Sequence, residues 1–158
     1  MVTRAAHSTM TGRRRRSAMT SRKLRTIQVG SLVCFWRVHH RHRPEPSDVR
    51  PCVEVFTVFQ QGHPNRPLRI LFPETAEHGP GYPGQRGVIV DYRTPNRSIN
   101  LNRPRIARLL IELGLASGWS PASASGELLI VNGYQLLRNH PAELHAALEA
   151  DSAVDHDP

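Results

Sequence analysis

Two cysteines and a run of histidines hold most of the side chains in this chain that could do chemistry. His39, His40 and His42 crowd one short stretch, and His63 and His78 follow at a distance. On a β-strand His40 and His42 would project to the same side, as two ligands of one metal ion must. A closed site, however, needs about four ligands, and carboxylates to fix the imidazoles. The arginines flanking this stretch oppose a cation, so the sequence favours a solvated polar loop and assigns no metal residues. Cys34 and Cys52 fall on consecutive expected strands. Pairing them gives an antiparallel register centred on residue 43, in which a cross-strand disulfide is conceivable. Cytoplasmic thiols stay reduced, which favours two free cysteines. A nucleophilic Cys34 would need a histidine to lower its pKa. Its neighbours Phe35 and Trp36 place it in a dry core instead. Trp36 and Trp119 are likewise expected to pack rather than to stack on a ligand.

Arginine offers the other chemistry. The run Arg13, Arg14, Arg15, Arg16 could grip phosphates with a steep salt dependence. Arg93, Arg103, Arg105 and Arg108, with Arg97, form an expected basic patch around a helix start, where the helix adds its own partial positive charge. These eight residues, leaving Arg97 aside, are the candidate anion or nucleic-acid contacts. Gly79-Pro-Gly-Tyr-Pro-Gly84 is not a phosphate loop, because no Lys-Ser/Thr and helix follow it. No Gly-x-Ser-x-Gly, His-Glu-x-x-His or Cys-x-x-Cys occurs, and the acids of the later chain are scattered singly. The sequence therefore assigns no catalytic residue and no cofactor.

The elements that must position these groups follow from periodicity and turn chemistry. Residues 25–38 read as strand, tight turn at Gly30-Ser31, then a second strand over about 32–39. His39 to Asp48 reads as a polar loop with Pro44 and Pro46. Strands follow at Cys52–Phe59, Leu68–Phe72 and Val88–Tyr92, with a turn over Gln60–Pro67 and a polar bend over Arg93–Ser98. Residues 73–87, with three Pro and four Gly, read as a long flexible loop. Asn102 is the expected N-cap of a helix over 103–117, with Pro104 in its first turn. Ile106, Leu109, Leu110 and Leu113 recur at helical spacing, and Gly118 closes the helix ahead of Pro121. A last strand at Glu127–Val131 is expected to turn at Asn132-Gly133 into a hairpin partner, Tyr134–Leu137. A short helix at Pro141–Ala150 precedes an acidic tail. The expected fold is α+β: a single, mainly antiparallel sheet with one amphipathic helix on one face and a short C-terminal helix.

Charge divides the chain. Residues 1–44 carry eleven of the 21 basic residues and no acid, whereas later residues hold ten Arg against all 13 acids, a net of −3. The overall +8 thus belongs to the front of the chain. Residues 1–23 are expected to be a disordered basic leader, and Met10 and Met19 are alternative starts. An α+β domain is expected over 24–138, and the short helix and acidic tail over 139–158. At 158 residues the length suits one domain, with too few cysteines for a disulfide scaffold. No apolar run reaches the roughly 18–20 residues of a membrane helix. A secretory signal is not apparent either, because the basic run leads into polar Ser17–Ser21. The expected location is the cytoplasm, without membrane association.

Cys34-Phe-Trp-Arg-Val38, the apolar strand after it, and Asn102-Arg-Pro-Arg-Ile-Ala-Arg-Leu-Leu-Ile111 ending in Gly118-Trp-Ser-Pro121 resemble a group of small uncharacterised bacterial proteins. That group shows a Trp-containing early strand, a Pro-started helix and a Gly-Trp-x-Pro exit into a last strand. The resemblance spans about 25–137. Asn-Arg-Pro stands here where Thr-Pro is commoner. It implies the fold and no activity. The function expected from these features is a non-enzymatic protein-interaction module using its sheet and the 73–87 loop. The alternative is a nucleic-acid binder using the Arg-rich arm and the helix-start patch.

Overall fold

The computed structural model describes residues 24–42, 52–81, 84–94, 98–123 and 126–152. Arg13 to Arg16 and the expected leader lie outside them. Strands β1 (Arg25–Val29), β2 (Leu32–His42), β3 (Cys52–Gln60) and β4 (Leu68–Pro73) form an antiparallel meander. Strand β8 (Leu128–Ile130) joins the β4 edge in parallel, giving the order β1-β2-β3-β4-β8. A parallel neighbour needs a long crossover. Here that crossover contains a second sheet and a helix.

That second sheet corrects the single-sheet expectation. It consists of β5 (His78–Pro80), β6 (Val88–Asp91) and β7 (Ser98–Asn100), all antiparallel. Strand β5 lies inside the segment read as a loop. Its three residues include a proline, which a strand tolerates at a sheet edge, and so short a piece leaves no periodic signal. The mainly antiparallel α+β class stands. Among the described residues there are three helices: α1 (Pro104–Ala116), α2 (Gly133–Arg138) and α3 (Pro141–Ser152).

Helix α1 buries Ile106, Leu109, Leu110 and Leu113 as its spacing predicts, and also Ala107, Ile111 and Gly114. Its N-cap is Arg103, which makes no side-chain capping bond. Asn102 is spent elsewhere: its amide donates to Arg86 O (3.0 Å), and its Oδ1 accepts from Arg25 Nη1 (3.0 Å). Gly118 does close the helix, at φ +100°. The expected Asn132-Gly133 hairpin is instead a helix start. Asn132 Oδ1 accepts the Gln135 N–H at 3.0 Å, and Tyr134 and Leu137 bury one helical face. An Asx residue before glycine serves a turn or a cap equally well, so burial at a spacing of three decides the case.

The core lies between the sheet and the helices. Successive strand residues alternate faces. Cys34 and Trp36 of β2, Phe56 and Val58 of β3, and Leu68, Ile70 and Phe72 of β4 share one core cluster with the buried residues of α1 and α2. The Trp36 and Phe56 rings lie 5.7 Å apart, and Trp119 Nε1 donates to Arg66 O at 3.1 Å. Both tryptophans are packing residues, buried to 1% and 2% exposure. On the opposite face Phe35 meets Phe59, and Arg69 pairs with Glu127 across the β4–β8 edge. Arg25, Arg37 and Arg41 belong to the strands. The positive charge of the front of the chain is therefore partly built into the sheet. No helix among the described residues is long and apolar enough to cross a membrane.

Two substitutions test this packing. A Cβ at Gly114 would fall 2.2 Å from Leu68 Cδ2, in a core where Leu68 is wholly buried. Helix propensity would favour Gly114→Ala by about 1 kcal/mol, but overpacking costs about 1–3 kcal/mol. Chemical denaturation should therefore show a net loss of up to about 2 kcal/mol. The Tyr134 ring packs edge-on to Phe72, and its hydroxyl is buried with no hydrogen-bond partner among the described residues. Burial, and then Tyr92, Glu54 and Glu74, hold that phenol far above its ordinary pKa. Tyr134→Phe should raise stability by about 1 kcal/mol in the same assay, because it removes an unsatisfied buried group.

Candidate functional site

The apolar face of the meander does not stay apolar to its end. Antiparallel register places Trp36 opposite Val58, Val38 opposite Phe56, His40 opposite Glu54, and His42 opposite Cys52. Strand β2 runs three residues beyond its expected end at 39, so His40 and His42 sit on a strand rather than in a loop. Two polar pairs thus continue the core face at the rim of the sheet. Cys34 pairs with Gln60, and Cys52 lies opposite a residue eight positions further along β2. At about 3.3 Å per residue the two sulfurs are roughly 26 Å apart along the strand, so no disulfide joins Cys34 to Cys52. The register centred on residue 43 fails because the β2–β3 connection is longer than a tight hairpin, and the pairing centre shifts with it.

Glu54 is wholly buried. Its Oε1 accepts the His40 Nδ1–H at 3.0 Å, while Oε2 has no hydrogen-bond partner among the described residues. The His40 side chain is itself only 5% exposed, and the His42 ring meets it edge-on at 4.7 Å. Cys52 Sγ lies 3.4 Å from His42 Nδ1. A ligating atom from each of His40, His42 and Cys52 lies within 4.8 Å of the other two. Glu74 closes the outer side, its Oε2 accepting the Cys52 N–H at 3.1 Å. Burial, and then the Glu74 and Glu54 charges, push the Cys52 thiol above its ordinary pKa.

Beside this quartet a cleft of about 660 Å³ opens along the free part of β2. His40 and Glu54 line it together with Arg25, Arg37, Arg86 and His39, among others. Arg25 is fixed by Asn102 O (2.9 Å) and by stacking 5.0 Å over the Trp36 ring. The Arg86-Gly87 rim is pinned by the Asn102 side chain and by the Leu101 N–H, which donates to Gly87 O at 2.8 Å. Three arginines thus line one concavity, with Glu54 as the one carboxylate among its described lining residues.

The arginines singled out from sequence lie elsewhere. Arg93 pairs with Glu77 (3.0 Å) and Asp91 (3.4 Å) and lines a separate cavity of about 330 Å³ beside α2. The Arg93 backbone N–H is also the main cause holding the Asp91 carboxyl below its ordinary pKa. Arg105 and Arg108 line a groove with Glu112 and Glu143, and Arg108 donates to Gln28 O at 2.9 Å. Arg103 is exposed at the helix cap. These four do not share one cleft. Sequence reading missed Arg25, Arg37, Arg86 and Glu54. The available signal was the continued two-residue alternation through His42, and an acid set in the apolar strand Cys52–Phe59. Cys34 is wholly buried with its thiol pKa raised by desolvation, which does not suit a nucleophile.

No known protein family, curated protein or solved structure matches this chain.

The two thiols should differ in solution. A thiol-reactive probe at neutral pH is expected to modify Cys52 alone in the native protein, and Cys34 only after unfolding. Labelling at Cys52 should keep accelerating above pH 9, because its surroundings hold the proton on. Prompt labelling of Cys34 in the folded chain would contradict its placement.

Proposed function

We propose that this chain is a non-enzymatic interaction module that receives an acidic segment of a partner protein in the β2 cleft. The observation that supports this reading is that Arg25, Arg37 and Arg86 line one concavity, with Glu54 as the one carboxylate among its described lining residues. A concave wall of one sign concentrates oppositely charged partners, and guanidinium forks match carboxylates in pairs. The 73–87 segment contributes its Arg86 end to the cleft rim, which links it to the sheet as parts of one surface. Single-stranded nucleic acid is the less favoured occupant. Its binders present aromatic platforms for bases, and no Phe, Tyr or Trp is among the described residues that line this cleft.

The test uses Arg37→Glu combined with Arg86→Glu in the full chain. Fluorescence anisotropy with a glutamate-rich peptide and with a single-stranded oligonucleotide of equal charge separates the two partners. Peptide affinity should fall at least tenfold in the double variant and should weaken with added salt, while the melting temperature holds. Tighter binding of the oligonucleotide by the wild type, lost on removing residues 1–18, would replace this reading with nucleic-acid binding.

A further inference from the structure

We propose that His40, His42 and Cys52 bind one divalent transition-metal ion of the zinc type, and that Glu54 is the positioning residue that orients His40 toward it. This site goes beyond the acidic-partner reading and does not depend on it.

Topology places the donors. His40 and His42 occupy alternate positions on β2, and Cys52 sits directly across the ladder from His42 on β3. All three therefore project from the same face of two paired strands. Hydrogen-bonded strands hold such side chains more closely than a loop would. The spacing fits a tetrahedral ion. With metal–nitrogen bonds near 2.0 Å and metal–sulfur bonds near 2.3 Å, two ligands of one zinc are about 3.3–3.6 Å apart. Cys52 Sγ and His42 Nδ1 are 3.4 Å apart. A ring nitrogen of His40 lies within 4.8 Å of both.

The buried carboxylate supplies the second line of argument. Glu54 accepts the Nδ1–H of His40, which fixes the tautomer and leaves the Nε2 lone pair as the donor. A carboxylate feeding a histidine in this way is the common outer arrangement of metal-bound imidazole. It also answers the cost of Glu54 itself. A wholly buried carboxylate whose Oε2 has no hydrogen-bond partner among the described residues is expensive. A dication on the far side of the His40 ring supplies the missing positive charge. Glu74 adds a further carboxylate beside Cys52, so the local field favours a cation although arginines lie nearby.

The donor set narrows the ion. A thiolate with two imidazoles suits zinc and its neighbours, and is a poor match for magnesium or calcium, which take oxygen ligands. Binding replaces the Cys52 thiol proton, which leaves to solvent. Three protein donors leave the fourth position to water.

Cobalt(II) reports this site directly, because a thiolate ligand gives a near-ultraviolet charge-transfer band and tetrahedral geometry intensifies the visible bands. The full chain, stripped with chelator, should take up one equivalent of cobalt with that band, and zinc should displace it. Cys52→Ser should abolish the band, whereas Cys34→Ala should retain it. His42→Ala should weaken cobalt affinity at least tenfold. Glu54→Gln should weaken it ten- to a hundredfold without lowering the melting temperature of the metal-free protein, and its saturated spectrum should keep the thiolate band. The Arg37→Glu, Arg86→Glu variant should bind cobalt as the wild type does, which keeps this site distinct from the acidic-partner reading. A wild-type spectrum without the band, or a band that survives Cys52→Ser, would overturn the proposal. So would unchanged cobalt affinity in His42→Ala.

Discussion

The antiparallel register between β2 and β3 is the constraint from which the rest of the molecule follows. It sets Trp36 against Val58 and Val38 against Phe56, building the sheet side of the core. The same ladder, two and four residues further on, sets His40 against Glu54 and His42 against Cys52. A slip of one residue would turn every one of these side chains to the other face. Core and polar rim are thus specified by one set of backbone hydrogen bonds. The apolar pairs that stabilise the register also hold the chemically active pairs in place.

Charge is arranged with similar economy. Arg25 is at once a sheet residue, a lid on Trp36 and a tie to the helix entry through Asn102. Asn102 gives up its expected capping role to make that tie and to hold Arg86 O. The helix start, the cleft rim and the β1 edge are therefore joined through one asparagine. An uncapped helix end costs about 1 kcal/mol, and three hydrogen bonds through Asn102 offset it.

Much of the fold was legible in the sequence where long periodic segments carried it. Helix α1 and strands β1, β3 and β4 follow directly from alternation and from the spacing of Ile106, Leu109, Leu110 and Leu113. The remainder was hidden for identifiable reasons. Strand β5 is three residues with a proline, and Asn132-Gly133 is as good a helix start as a hairpin turn. The rim of β2 was the costliest omission. His39 to His42 is polar enough to pass for a loop, because local composition does not reveal that its partner strand supplies Glu54 and Cys52. The arginines around the cleft come from residues 25, 37 and 86, which only the tertiary fold gathers. Reading charge by chain position could not separate Arg37, held in the sheet, from Arg13 to Arg16.

The five-stranded sheet ends on small borders. Strand β8 offers three residues, and β1 offers five with an arginine at its tip. Sheets grow by templating a newcomer along an unsatisfied ladder, and a long flat border is what invites fibrous stacking. Here any newcomer at β8 would gain only a few backbone bonds, despite the exposed Leu129 side chain on that strand. Borders this short limit how far a newcomer strand could extend the ladder at β1 and β8.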